Sequence, residues 1–521
     1  MINHVGRTGR GIRGDICENS GHQKRIYTKH RTFARSPTSP YSQKMPKFKS
    51  LSDIQTALRT GVTTCRALVD HYLDQIAATQ ALNAYVEVWA DEARQRADDT
   101  DQQLRDNPGQ LGRLFGAVVS IKDNICYEGH TVTAGAKVLE GFRSPYSSTV
   151  VERLLAEGAI IIGRTNCDQF GMGSSNENSA YGPVRHPLDP ERVSGGSSGG
   201  AAVSVLADTC LMALGSDTGG SIRQPAGFCG LWGFKPSYGR VSRHGLIAYG
   251  SSFDQIGCIT HNPGDVALFL EVCAGADQFD STATDRPVPT VDLTLQPTQK
   301  YRIAYLANTI DNPGLDPVVK TITQQYLAQL QEQGHTLEDV AFDLIDYVIP
   351  AYYVLTTAEA SSNLSRFDGM RYGYRAPQAT DIESVYLQSR SEGFTPEVKK
   401  RILLGAFVLS SGYYDAYYTK AQQVRRMLRD RITAILGEYD AIILPVAPGV
   451  AWRFGEKSAD PTAMYLSDIY TVSANLCGIP AVTYPIGQHS DNKMPIGIQL
   501  MGRMYDEAAL LSLANNISHA I

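Results

Sequence analysis

Lys122, Ser197 and Ser221 carry the residue types that nucleophilic chemistry needs, and each sits in an unusual setting. Ser197 lies inside Gly195-Gly196-Ser197-Ser198-Gly199-Gly200, and Ser221 closes Asp217-Thr218-Gly219-Gly220-Ser221. Such glycine density is costly to order and contributes no side-chain packing. A flexible linker or a pair of tight packing turns could account for it. Yet both clusters abut apolar runs, Ala201 to Leu206 and Leu211 to Leu214, which belong in a core. Glycine loops on buried elements let backbone N–H groups approach a ligand, with small hydroxyls beside them. A serine nucleophile also needs a base. None of the eleven histidines falls in H-E-x-x-H or beside a G-x-S-x-G elbow, and no G-K-[ST] follows the glycines to make a phosphate loop. Lys122 is the leading candidate, because it directly follows the apolar run Leu114 to Ile121. A lysine at a strand end is commonly an ordinary surface residue. Held at the edge of a core, it would instead be desolvated toward its neutral, basic form. Work near neutrality requires its pKa to fall by roughly three units, a preference of about 4 kcal/mol for the amine.

The elements around these residues alternate between helix and strand. Helices are expected from Ser52 through Leu58, from Thr64 to Ala78 and, with a mostly polar outward face, from Asp91 to Leu104. Leu114 to Ile121 reads as a buried strand, followed by a helix from Thr149 to Glu157 and a strand from Ala159 to Gly163. The alternation resumes after a polar, proline-bearing connection near Asp277 to Gln299, with a strand at Tyr301 to Leu306 and a helix at Pro317 to Gln333. Strands are expected again at Ala441 to Val446, Ala481 to Tyr484 and Ile496 to Leu500, before a last helix from Asp506. This is an α/β pattern with a parallel or mixed sheet.

Composition agrees with an ordinary globular protein with a substantial core. Of 521 residues, 43% are hydrophobic and 19% charged, and the net charge of -5 offers no grip for nucleic acid over the whole surface. No apolar run approaches the ~18 residues of a membrane span. Nine cysteines without C-x-x-C pairs or companion histidines suit reduced, buried thiols, and no metal site is expected. Charge is unevenly spread. The first fifty residues hold 11 Lys and Arg against Asp15 and Glu18, a net +9 that leaves -14 for the remainder. Residues 1–49 therefore read as a basic leader: a disordered tail, an organelle transit peptide or an upstream mis-assigned start before Met45. Gly11, Gly14, Pro37 and Pro40 interrupt any amphipathic helix there. The catalytic domain is expected to occupy 50–521.

Together, GGSSGG, Gly215-Ser216-Asp217-Thr218-Gly219-Gly220-Ser221-Ile222-Arg223-Gln224-Pro225-Ala226 and Ser120-Ile121-Lys122-Asp123-Asn124 resemble the amidase signature family. The resemblance implies an α/β/α sandwich around a large mixed sheet and a Ser-cisSer-Lys triad that hydrolyses amides. Ser221 would be the nucleophile, Ser197 the serine after a cis peptide bond, and Lys122 the base. Backbone N–H groups of Thr218, Gly219 and Gly220, with Ser221, would form the oxyanion hole. Relatives commonly carry Pro before and Ser after GGSSGG, where this chain has Ser194 and Ala201. Asp217 and Arg223 read as a structural charge pair, and Met172, Gly173 and Ser174 as an acyl-pocket wall. Buried packing is the expectation for Cys126, Cys167 and Cys229.

Within that family, Ser361 to Gly369, Arg401 to Gly405 and Ser410 to Tyr418 resemble the glutaminase branch that serves glutamyl-tRNA(Gln) amidotransferases. What this implies is a glutamine site at Tyr352, Arg401 and Asp468. Arg401 would clamp the α-carboxylate and Asp468 would accept from the α-ammonium. It also implies a heterotrimer with B and C subunits and ammonia delivered to the B subunit. ATP and Mg2+ would be used there on Glu-tRNA(Gln), with no cofactor on this chain and no membrane association. The compartment implied is the cytoplasm, or the mitochondrial matrix if the leader is a transit peptide. The alternative is a stand-alone amidase of the same family acting on a small amide.

Overall fold

The computed structural model describes residues 45–457 and 461–519. The basic leader, apart from its last few residues, lies outside the described residues. From Lys47 onward the chain forms one compact unit. Its frame is a mixed sheet of eleven strands: β1 Tyr85–Val88, β2 Val118–Lys122, β3 Ile160–Thr165, β4 Met212–Asp217, β5 Trp232–Lys235, β6 Gln255–Thr260, β7 Arg302–Tyr305, β8 Thr336–Asp339, β9 Ala441–Pro445, β10 Ala481–Gln488 and β11 Pro495–Met501. They lie in the order β1-β3-β2-β4-β6-β5-β10-β11-β9-β7-β8. β3, β2 and β4 run parallel, as do β9, β7 and β8, and the strands between them are antiparallel.

Successive residues of a strand point to opposite faces, and here both faces are buried. Ala441 and Ile443 of β9 join one core, with Phe269, Tyr326 and Leu511 from helices Pro263–Cys273, Pro317–Glu332 and Glu507–Ser518. Ile442 and Leu444 join the other, with Leu355, Ile432 and Leu476 from helices Ile345–Asn363, Lys420–Glu438 and Val472–Cys477. Helix layers thus cover the sheet on both sides, the α/β/α sandwich expected from sequence. Among the described residues no helix is long and apolar enough to cross a membrane.

The strand before Lys122 is shorter than its apolar run. Leu114 to Ala117 form a turn, closed by the Ala117 N–H donating to the Leu114 carbonyl at 2.9 Å, and the strand begins at Val118. Apolarity there reflects burial rather than extension. The run from Ala201 forms the wholly buried helix Gly199–Leu206 except for Leu206 itself, and Met212 onward forms β4. Lys122 and Asp217 therefore stand at the carboxyl ends of two adjacent parallel strands, with Ile121 level with Leu214. Sites in α/β sheets collect at such strand ends.

Candidate active site

Lys122 is fully buried, and its Nζ lies among three serine hydroxyls: Ser197 at 2.8 Å, Ser198 at 2.9 Å and Ser216 at 2.8 Å. Its neighbour Asp123 fixes the segment by ion-pairing with Arg164 and accepting from the N–H groups of Thr133 at 3.0 Å and Gly135 at 2.9 Å. Burial pulls the Lys122 amine down to about 8, although Cys167, Asp168, Asp217 and Asp254 work in the opposite direction. The hydroxyls are not equivalent. Ser198 donates its proton to the Ser216 carbonyl at 3.1 Å, whereas Ser197 donates to no protein acceptor among the described residues. Ser197 follows a cis peptide bond with Gly196. Ser221, 7% exposed, joins the group through its carbonyl, which accepts from the Ser198 N–H at 3.1 Å.

The loop before Ser221 is built around a buried ion pair. Asp217 meets Arg223 in a fork, Nε to Oδ2 at 3.1 Å and Nη2 to Oδ1 at 3.0 Å, the structural role read from sequence. Burial opposes ionisation of Asp217, but Arg223, Lys235 and Asn475 outweigh it and hold the carboxyl at about 2. The same carboxylate accepts from the Gly220 N–H at 2.9 Å and the Ile222 N–H at 3.2 Å. This corrects one expected oxyanion donor: the Gly220 N–H is committed to Asp217. Gly220 instead supplies a backbone φ of 127°, and a Cβ there would lie 2.2 Å from Thr471 Oγ1. The N–H groups of Thr218, Gly219 and Ser221 donate to no protein acceptor among the described residues, so they are the donors left for a developing oxyanion.

Tyr352, Arg401 and Asp468 come to the same place from two helices and a turn. Tyr352 lies on helix Ile345–Asn363 with its phenol oxygen against Gly219. Arg401, on helix Pro396–Val408, is only 5% exposed. Its Nε donates to Glu397 at 2.8 Å and its Nη1 to the Tyr249 hydroxyl at 2.9 Å, while Nη2 has no protein partner among the described residues. The guanidinium lies 5.3 Å from the centre of the Tyr353 ring and 5.9 Å from that of Tyr465. Asp468 accepts from Ser174 Oγ at 2.6 Å and Tyr353 OH at 3.4 Å, both on Oδ2, which leaves Oδ1 open. Burial pushes its carboxyl up to about 7, against Ser174, Arg401 and Tyr353. Arg401 and Asp468 form no direct ion pair; Tyr353 stands between them.

Of the expected pocket wall, Ser174 joins this group through its bond to Asp468. Met172 packs in an apolar cluster with Phe170, Phe367 and Phe394, and Gly173 lies against Asp168. Tyr249, Tyr353, Glu397 and Tyr465 carry no sequence motif of their own, whereas Ser216 lies within the Gly215 to Ala226 motif but has no role implied there. Of those four, Glu397 alone had a legible signal, since it precedes Arg401 by one helical turn. Cys126, Cys167 and Cys229 are buried and free. No group of three or more His, Cys, Asp or Glu is placed to hold a metal ion among the described residues.

Comparison with known proteins gives this geometry relatives. The A subunit of the glutamyl-tRNA(Gln) amidotransferase of Chlorobium luteolum is 48% identical over 473 residues, 90% of this chain and 97% of that protein. The protein of the same name from Koribacter versatilis is 46% identical over 467 residues, 89% of this chain and 97% of that protein. The solved structure of the corresponding glutamyl-tRNA(Gln) amidotransferase protein from Thermotoga maritima matches with a TM-score of 0.71 at 36% identity, covering 87% of this chain and 91% of that one. Peptide amidase from Stenotrophomonas maltophilia matches with a TM-score of 0.75 at 28% identity, covering 92% and 97%. The family model for amidases spans residues 67–511, from the second helix to the last, and takes in every residue of the site. By sequence along nearly its whole length, and by the sheet that carries Lys122 beside the two serine loops, the chain belongs to the amidase family.

Proposed function

We propose that this chain is the glutaminase component of a glutamyl-tRNA(Gln) amidotransferase. It hydrolyses glutamine and supplies ammonia to a partner that converts Glu-tRNA(Gln) to Gln-tRNA(Gln). The observation that carries the reading is the pair of buried side chains Arg401 and Asp468, each with one polar atom left open, beside the Gly219–Ser221 loop. An amino acid presents a carboxylate and an ammonium on one carbon. The free Nη2 of Arg401 suits the first and the open Oδ1 of Asp468 the second, with the side-chain amide directed to Ser221. A simple amide would leave the Nη2 of Arg401 and the Oδ1 of Asp468 buried without a partner, which is unfavourable. The two amidotransferase relatives at 48% and 46% identity support the same assignment.

The chemistry follows from the proton inventory. Neutral Lys122 takes the Ser197 proton, and Ser197 takes that of Ser221 as its Oγ bonds to the glutamine amide carbon. The carbonyl oxygen becomes an oxyanion facing the Thr218, Gly219 and Ser221 N–H groups. Collapse breaks the C–N bond, the nitrogen leaves with the returned proton as ammonia, and water then releases glutamate from the acyl-enzyme. Lys122 is regenerated without net proton change.

The reading includes a heterotrimer with B and C subunits, in which ATP and Mg2+ serve carboxylate activation on the B subunit. No ATP or metal role is assigned to residues of this chain. The reading also assigns the enzyme to the cytoplasm, a compartment that suits the eight free, buried thiols among the described residues. The test is to express the chain alone and with B and C partners, then assay ammonia release from glutamine and conversion of Glu-tRNA(Gln). Both activities should appear in the complex and vanish with Ser221→Ala. Arg401→Ala should raise KM for glutamine far more than it affects butyramide. Full activity of the isolated chain on unrelated amides, with no conversion of Glu-tRNA(Gln), would replace this reading with a stand-alone amidase.

A further inference from the structure

Two hydrogen-bonded paths run from the charged residues of the clamp to the loop that faces the oxyanion. The first starts at Arg401, whose Nη1 donates to the Tyr249 hydroxyl at 2.9 Å. Asp254, only 3% exposed, accepts from the Tyr249 N–H at 2.9 Å and the Gly250 N–H at 3.1 Å. The same carboxylate accepts from Thr218 Oγ1 at 2.6 Å. The second starts at Asp468, whose carbonyl accepts from the Thr471 N–H at 3.0 Å. Thr471 Oγ1 then donates to the Gly219 carbonyl at 2.6 Å. The paths end on consecutive residues, Thr218 and Gly219, whose N–H groups are free for the oxyanion. Neither Asp254 nor Thr471 belongs to the triad or the clamp.

We propose that Asp254 and Thr471 are positioning residues that transmit occupancy of the amino-acid clamp to the oxyanion loop, so that glutamine sets the donors that hydrolyse it. The inference rests on the glutamine reading of Arg401 and Asp468. A carboxylate drawn to Arg401 loads Tyr249 and through Asp254 fixes Thr218; an ammonium drawn to Asp468 fixes Gly219 through Thr471. Binding energy from the remote end of the substrate is thereby used at the reacting end, which raises kcat rather than affinity. An amide without the amino-acid end meets the loop unset and gains nothing from either link.

The experiment measures kcat and KM for glutamine and for butyramide in the assembled complex, comparing wild type, Asp254→Asn, Thr471→Val, Arg401→Ala and the Arg401→Ala/Asp254→Asn pair. Each linker variant should lower kcat for glutamine about tenfold, with KM and butyramide turnover held within about twofold. Asp254→Asn should add no further loss in the Arg401→Ala background, because the path is already empty. Equal losses on both amides, or full additivity with Arg401→Ala, would overturn the coupling while leaving the clamp intact. Should Asp254→Asn not fold, Thr471→Val, which keeps the side-chain shape, carries the comparison of the two amides, with Asp468→Asn in place of Arg401→Ala as the background that empties its path. If Arg401→Ala itself does not separate glutamine from butyramide, the clamp falls and the coupling falls with it.

Discussion

A methyl group on Gly219 would sit 2.4 Å from the phenol oxygen of Tyr352 and 2.6 Å from the ring carbon that bears it. The nucleophile loop and the helix carrying the substrate residues therefore touch at a point where only hydrogen fits. Tyr352 is an aromatic ring held by Phe253 at 5.9 Å and Tyr353 at 5.1 Å, so it has little freedom to retreat.

From this contact we expect Gly219→Ala to lower kcat for glutamine by about 100-fold while the protein remains folded, because a displacement of about 1 Å in a reacting loop has that consequence. Steady-state ammonia release, read beside the thermal unfolding midpoint, checks it. Near-normal turnover would show that the loop can move away from Tyr352.

The Lys122 amine, lowered by burial to about 8, sets the pH dependence of kcat. Below that value the amine holds its proton and cannot accept one from Ser197, so kcat should fall about tenfold per pH unit on the acid side and level off above it. Lys122→Arg, charged at every accessible pH, should remain inactive up to about pH 10. A pH profile of glutamine hydrolysis in which kcat is flat between about pH 6 and 9 would remove Lys122 as the base.

Asp468 gives KM its own pH dependence. Its carboxyl, raised by burial to about 7, must be ionised to receive an ammonium. KM for glutamine should therefore rise as the pH falls below about 7, and KM for butyramide should not follow. Asp468→Asn should show a high KM for glutamine at every pH. Parallel titrations of both amides separate this effect from that of Lys122, which acts on both.

The sequence exposes the parts of this site that chemistry fixes locally and hides those that the fold assembles. Lys122 is legible because a lysine ending an apolar run is conspicuous, and Ser197 and Ser221 because glycines surround them. Arg401 and Asp468 came only through resemblance; by themselves they look like any arginine in a helix and any aspartate in a turn. Tyr249, Asp254, Tyr353 and Thr471 left no trace, since their work lies in contacts between distant parts of the chain, such as Thr218 to Asp254 and Gly219 to Thr471. The sheet was readable for a related reason. Strands buried on both faces are continuously apolar, which marks β2, β3 and β9, although the same apolarity extended the first of them into the turn at Leu114 to Ala117.

The Asp217–Arg223 pair makes the last prediction, on stability. Both side chains have no exposure, and all the guanidinium nitrogens are in use: Asp217, the Thr471 carbonyl at 2.9 Å, Gln499 at 2.8 Å and Asn475 at 2.7 Å. Arg223→Met would leave the Asp217 carboxylate buried without its counter-ion, and removing one partner of such a pair costs about 3–5 kcal/mol. Urea unfolding should show that loss, whereas Arg426→Met, which breaks the solvent-exposed pair with Asp430 at 2.7 Å, should barely move the midpoint. The pH dependence has a definite sign. Asp217 is held at about 2 in the folded chain against an ordinary 3.8, so its contribution is present above about pH 4 and is lost as the pH falls through 2. Arg223→Met should therefore flatten the acid limb of the stability curve over that window. An unchanged acid limb would mean that the carboxylate is held down by Asn475 and the loop N–H groups rather than by the arginine.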